Sequence, residues 1–222
     1  VLNLMTVGLR ALQHRGQESA GITIHDREHL TLKGMGLVTE VLNDFGDEFT
    51  KGLTGIGHVR YSTAGSSSMK NAQPMTVSSV SGELSIGHNG NIANQDALRQ
   101  EKENAGWAFM SDTDSEIIVR MIANNLSKKH SIIKSIQLTM KNLVGSYSIV
   151  LLHQDELYAF RDPLGIKPLC IGEISDGNVV ASESPAIEIM GGRVIRDVEP
   201  GEIVTINDEK IISHIVSNSE DK

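Results

Sequence analysis

LQHRGQESAGI, residues 12–22, joins an apolar helical run to an apolar strand-like run. His14, Arg15, Gln17 and Glu18 crowd around Gly16, a denser polar cluster than a plain turn needs. Upstream, Leu2, Met5, Leu9 and Leu12 recur at helical spacing, and Gly16 is placed to end that helix. Downstream, AGITIHD (20–26) and HLTLKGMG (29–36) alternate apolar and polar residues and predict a hairpin.

The rest of the chain extends this pattern. TGIGHVRYSTAG (54–65) is a strand entering a Ser/Gly loop, and PMTVSSVSG (74–82) and ELSIGHNG (83–90) are two further strands. Residues 92–104 read as a polar surface helix. TDSEIIVRMIANNL (113–126) has the capping-box spacing, Thr113 as cap and Glu116 three residues on. A second helix is predicted over 131–143, with Gly145 to close it. Seven strand-like stretches follow: SYSIVLLHQ, ELYAFRD, KPLCIGEI, NVVASES, RVIRDV, EIVTIND and KIISHIV. One short helix, SPAIEIMGG, interrupts them, with Ser184 as cap and Pro185 at its first position. Helices in blocks between antiparallel strands predict an α+β layered domain with two sheets rather than an alternating βαβ fold.

Composition narrows the function. At 222 residues the chain can bury a substantial core. Its net charge of −8 argues against a general nucleic-acid binder, which needs clustered Lys and Arg. No apolar run approaches a membrane span, so a membrane role is not expected. The single Cys170 excludes an internal disulfide and fits a reducing compartment, so a cytoplasmic protein is expected. HExxH, paired CxxC, P-loop and GxSxG patterns are absent, and the eight histidines lack metal-ligand spacing, so no metal is expected.

Three polar clusters remain, besides one carboxylate and one thiol. The opening cluster is the first. In the second, GHVRYSTAG (57–65), Arg60 sits on an apolar strand just before a glycine loop, either gripping a carboxylate or paired with an internal acid. In the third, GHNGNIAN (87–94), Asn89-Gly90 is either a turn dipeptide or an oxyanion hole. Asp114, beside the helix cap, either answers the helix dipole or receives an ammonium. Cys170, apolar on both sides, reads as a buried core residue. A carboxylate grip, an ammonium acceptor and an oxyanion hole together fit an amino acid with a reactive amide; a nucleophile is what they lack.

These clusters, with AQP, SDTDSE, AFRDPLGIKPL, ASES and RDVEPGEIV, resemble the glutaminase domain of the amidophosphoribosyltransferases, class II glutamine amidotransferases of purine synthesis, over nearly the whole chain. Tyr61 after Arg60 matches these enzymes rather than the glucosamine-6-phosphate synthases, which carry Trp there. The resemblance implies a four-layer αββα N-terminal-nucleophile hydrolase sandwich of two stacked antiparallel sheets. It implies L-glutamine as substrate, with Arg60 on its carboxylate, Tyr61 and Thr63 in a closing loop, Asp114 on its ammonium, and Asn89 and Gly90 as oxyanion hole.

The nucleophile of that family is an N-terminal Cys on a first strand, which residues 1–222 do not contain; the chain alone is therefore expected to be inactive. The family's phosphoribosyltransferase domain, in the same or a partner chain, would bring the Mg²⁺ chemistry; no cofactor is expected in residues 1–222. A homo-oligomer is expected at full length. The alternative expectation is a non-catalytic glutamine-binding or regulatory domain of the same fold.

Overall fold

The structure, a computed structural model, describes residues 1–43, 45–61, 67–207 and 210–216. The first apolar spacing forms α1 (Leu2–Ala11), and the hairpin forms as β1 (Ser19–Asp26) and β2 (Glu28–Met35), with Ile22 opposite Leu32. A single turn, α2 (Val38–Val41), leads to β3 (Thr54–Arg60), which pairs with the other edge of β1. There follow β4 (Met75–Ser79), β5 (Gly82–Ile92), α3 (Gln95–Asn104), α4 (Asp114–Ser127) and α5 (Ile132–Met140). The last third contains β6 (Gly145–His153), β7 (Glu156–Arg161), β8 (Cys170–Ile174), β9 (Gly177–Ala181) and α6 (Ser184–Ile189). It ends with β10 (Arg193–Asp197), β11 (Glu202–Ile206) and β12 (Ile211–Ile215).

The layers are α, β, β, α, as the α+β reading requires. One sheet has six antiparallel strands in the order β12-β11-β7-β6-β5-β4. Its outer face carries Leu84, Ile86, Tyr147, Ile149 and Phe160, which pack against Ile117, Ile118 and Ile122 of α4. Alternation sends the intervening residues of those strands to the other face, toward the second β layer. That layer is divided. It consists of two three-stranded pieces, β2-β1-β3 and β10-β8-β9, rather than one continuous sheet. α1 covers β3 and α6 covers β8 and β9, with Leu9, Ile22, Ile24 and Val59 in one core and Cys170, Ala181 and Ile187 in another. Between the two β layers, Ala159 and Val204 meet Leu169, Ile171 and Val198.

Several local expectations are corrected. α1 stops at Leu12, and a 3-10 turn over Gln13–Arg15 follows before Gly16. Gly16 is extended, at φ −170°, so it does not cap the helix; a Cβ there would lie 2.5 Å from the Arg60 carbonyl carbon. Close approach, not handedness, is what this glycine permits. Gly145 opens β6 instead of closing α5, because a Cβ would meet the Asn91 carbonyl oxygen at 2.2 Å. Asn89-Gly90 is no turn, since β5 continues to Ile92 with Gly90 opposite Tyr147. Glu183 rather than Ser184 precedes α6, which puts Pro185 at its second position.

The Thr113–Glu116 capping box does not form. The Glu116 carboxylate instead accepts from the amides of Met110 and Ser111, the Ser111 hydroxyl and Arg120. A cap is worth about 1 kcal/mol. Each buried Ile of α4 contributes roughly 1.5–3 kcal/mol, so the helix holds without it.

Candidate functional site

β3 and β5 approach each other at one end of the sandwich, and the site forms where they meet the start of α4. A cavity of about 220 Å³ there is lined by Arg60 and Tyr61 from β3 and its exit, Asn89 and Gly90 from β5, and Asp114 from α4. Every described candidate from the sequence thus faces one space. Thr63 lies outside the described residues.

Arg60 is buried and ion-paired with Glu18, so the internal-acid reading of this arginine is realised even as it lines the cavity. The opening cluster builds that support. Gly16 lets the chain cross against Arg60, and the Glu18 amide donates to the Arg60 carbonyl at 3.0 Å. Arg15 pairs with Glu183, and His14 reaches the same carboxylate at 3.0 Å, fastening the end of α1 to the start of α6. Gln13 accepts from the Val38 amide at 2.7 Å.

Asp114 is 6% exposed. Its Oδ2 accepts from the Ile92 amide at 3.1 Å, and its Oδ1 lies 3.3 Å from His88 Nδ1. Burial alone would raise this carboxyl, but His88 and the amides of Ile92 and Ser115 outweigh it and hold the pKa below the ordinary value. The carboxylate is therefore the resting form. Asn89 presents a different feature: its Nδ2 is buried with no hydrogen-bond partner among the described residues. A buried amide donor without an acceptor is costly, and such donors cluster where a ligand supplies one.

Several cavity residues escaped the sequence reading. His58 is one; burial, then the nearness of His88, Arg60 and Arg15, pushes its imidazole down to about 3, so it is neutral at physiological pH. His88, Ser115 and Gln73 are others. Gln73 donates to the Ser115 hydroxyl at 3.1 Å and accepts from the His88 amide at 2.7 Å. Lys33, its pKa lowered by burial, donates to the carbonyls of Ala72 and Pro74 and holds the AQP segment in place. The signal was present in the quoted phrases GHVRYST, AQP and GHNG, but nothing in the chain order says that these segments converge.

A second cavity, about 170 Å³, adjoins the first, and Gly57, His58, Asn89 and Ser182 line both. It is a slot between the outer edges of β3 and β9, roofed by α1 and floored by the six-stranded sheet. Cys170 lines neither cavity. It is buried on β8, its Sγ 3.3 Å from the Ala181 carbonyl, and burial followed by Asp197 pushes the thiol up to about 11. That matches its reading as a core residue and leaves it protonated at neutral pH. Among the described residues, no group of three or more His, Cys, Asp or Glu is placed to hold a metal, and no helix is long and apolar enough to cross a membrane.

Residues 58–188 match the family of glutamine amidotransferase domains. The chain is 47% identical over 212 residues to the amidophosphoribosyltransferase of Archaeoglobus fulgidus, covering 96% of this chain and 46% of that one. It is 45% identical over 208 residues to the amidophosphoribosyltransferase of Methanocaldococcus jannaschii, covering 93% and 44%. The structure superposes on glutamine phosphoribosylpyrophosphate amidotransferase from B. subtilis with a TM-score of 0.90 and 38% identity, over 98% of this chain and 47% of that one. The chain thus spans about half the length of the relatives it matches. The αββα layering, the convergent cavity and these likenesses agree: this chain belongs to the family of glutamine amidotransferase domains.

Proposed function

We propose that the chain is the glutamine-binding and glutamine-hydrolysing part of an amidophosphoribosyltransferase. The observation that carries this is the single cavity in which a buried arginine, a buried carboxylate and an unpartnered amide donor face one another. An amino acid with a side-chain amide complements all three. Arg60, oriented by Glu18, takes the α-carboxylate; a guanidinium has five donors and can serve two acids. Asp114 takes the α-ammonium. Asn89 Nδ2 and the Gly90 main chain receive the amide oxygen, on which negative charge grows during attack. Tyr61, 70% exposed at the rim, covers the bound molecule.

Hydrolysis needs a nucleophile, and the protonated, buried Cys170 does not supply it. We place the thiol on an extended segment in the slot between β3 and β9. Two strand edges facing across a gap leave N–H and C=O groups that a strand between them would satisfy. Such a strand would end beside Asn89, one of the residues that line both cavities. Its thiol would give its proton to the α-amine of the same residue, the sulfur would attack the amide carbon to form the C–S bond, and that proton would pass to the leaving nitrogen as the C–N bond breaks and ammonia departs. Water would then cleave the thioester to glutamate. Use of that ammonia on phosphoribosyl pyrophosphate, with Mg²⁺, is assigned to a phosphoribosyltransferase domain.

Calorimetric titration of the 222-residue chain with L-glutamine tests the binding half directly. Saturable binding is expected, weakened about tenfold or more in Asp114→Asn, since a charged hydrogen bond is worth about 1.5–3 kcal/mol. No binding of L-glutamine, or binding indifferent to Asp114→Asn, refutes the assignment of this cavity.

A further inference from the structure

The residue beside Asn89 has no role in the functions assigned above. His88 is 4% exposed and points to the opposite face of β5 from Asn89, toward α4. Its backbone is clamped on both sides by Gln73, whose Oε1 accepts from the His88 amide at 2.7 Å and whose Nε2 donates to the His88 carbonyl at 3.3 Å. Its Nδ1 lies 3.1 Å from the Ser115 hydroxyl and 3.3 Å from Asp114 Oδ1. Its Nε2 is buried and has no hydrogen-bond partner among the described residues. A Cβ on Gly90 would sit 2.1 Å from the Ser146 carbonyl oxygen and 2.8 Å from that Nε2, so the β6 backbone demands glycine there and the ring lies against it.

The proposal takes His88 as the neutral imidazole, with its single proton on the nitrogen that faces Asp114. A carboxylate accepts but cannot donate, so the Nδ1 facing Asp114 carries the proton. In that form Nε2 is an acceptor, buried on a residue that lines the cavity together with Asp114. Buried acceptors are normally satisfied, and this one has no donor among the described residues. The ligand group expected beside Asp114 is an ammonium, with three N–H donors to place. Asp114 offers Oδ1 and Oδ2, already engaged by His88 and the Ile92 amide. A further acceptor alongside them completes such a site.

We propose that His88 determines specificity for the α-ammonium of the bound amino acid: Nδ1 positions the Asp114 carboxylate, and Nε2 accepts one ammonium N–H. This rests on the reading of the cavity as a glutamine site. Discrimination against ligands without the ammonium then comes from two groups on two elements, α4 and β5. Gln73 and Ser115 keep those elements in register.

Binding of L-glutamine and of 4-carbamoylbutanoate, which has the same carboxylate and amide but no ammonium, separates the possibilities. Both are measured by calorimetry on the 222-residue chain, 4-carbamoylbutanoate by competition if weak, with folding checked by urea denaturation. His88→Ala is expected to weaken L-glutamine about tenfold or more and to leave 4-carbamoylbutanoate within about twofold. His88→Asn sets an amide nitrogen near the Nδ1 position and keeps the hold on Asp114 without Nε2. It is expected to fall between wild type and His88→Ala for L-glutamine, and it carries the test if His88→Ala does not fold. Equal losses for both ligands make His88 merely structural and overturn the proposal, as does full L-glutamine affinity in His88→Asn. An unsubstituted chain that binds 4-carbamoylbutanoate as tightly as L-glutamine also overturns it, while leaving an amide site standing. Failure of the unsubstituted chain to bind either ligand overturns the glutamine reading itself and this inference with it.

Discussion

Gly16→Ala places one methyl group against the backbone of the strand that carries Arg60. The new Cβ would lie 2.5 Å from the Arg60 carbonyl carbon and 2.7 Å from its nitrogen and oxygen. Ordinary carbon contacts are about 3.5–4.0 Å, so the two segments must separate by roughly 1 Å. Neither side yields easily. Gly16 is tied through the Glu18 amide to the Arg60 carbonyl, and β3 is paired along its length with β1. Overpacking of this kind costs about 1–3 kcal/mol of stability. The functional effect follows from direction, since the displaced residue is the proposed carboxylate partner itself. A misplacement of about 1 Å at a positioning group can reduce function on the order of 100-fold. Gly8→Ala, within α1, is the matched control, because its tight contacts would be with the flexible Met190 side chain, 3.1 Å away, and the Ala186 carbonyl oxygen lies at an ordinary 3.7 Å. There, relief of glycine's helix penalty, about 1 kcal/mol, opposes the contact. Urea denaturation should show Gly16→Ala destabilised and Gly8→Ala near neutral, and calorimetry should show L-glutamine affinity lost only in Gly16→Ala. If Gly16→Ala keeps stability within about 0.5 kcal/mol and affinity within twofold, the close-approach reasoning is wrong.

Two other perturbations probe separate parts of the molecule. Arg60→Ala should weaken L-glutamine binding about 10- to 100-fold, as loss of a charged hydrogen bond predicts. Lys70→Ala should have little effect, since Lys70 and Asp112 form a half-exposed pair at 2.7 Å of the kind worth about 0–1 kcal/mol. Equal affinities in calorimetry would count against the grip. Glu202 is buried and accepts a bidentate pair of bonds from Arg196, each 2.8 Å. Burial alone would raise its carboxyl, but Arg196, Ser213 and the Glu199 amide hold it below the ordinary value. The folded pKa lies beneath the unfolded one, so this stabilisation is complete above about pH 4.3 and fades as pH falls through the folded pKa. Glu202→Gln should therefore be less stable than wild type at pH 7, and the gap should narrow toward pH 3 in urea denaturation; parallel pH curves would refute it.

Much of the fold was legible because period-2 and period-3.6 patterns are local properties of the chain. The hairpin, the strands from residue 145 onward and α4 follow from alternation and apolar spacing alone. The errors share one physical source. Gly16 and Gly145 read as helix ends because glycine often serves there, yet each is demanded by a backbone from elsewhere in the chain, at Arg60 and Asn91. Thr113 and Glu116 have capping spacing, yet the donors at Met110 and Ser111 win the carboxylate. Asn89-Gly90 reads as a turn until β6 is present to pair with it.

The sequence by itself determined the element types, the layered α+β class, and the inventory of Arg60, Asn89, Gly90 and Asp114. It did so because residue chemistry and periodicity are written in order along the chain. Tertiary structure decided which residues share a cavity, which polar atoms remain unpartnered, and why the phrases around the site are worded as they are. Glu183 of ASES receives His14 and Arg15; Asp162 of RDPLG accepts the amides of Tyr147 and Leu164; Arg196 and Glu202 of RDVEPGE bind β10 to β11 across two sheets. The Glu183 contacts and the Asp162–Tyr147 bond are long-range, and there the partner is named by the folded geometry rather than by neighbours in the chain. The opening stretch shows both sides: residues 12–22 announce a helix, a turn and a strand, but only the fold brings Gly16 and Glu18 to Arg60.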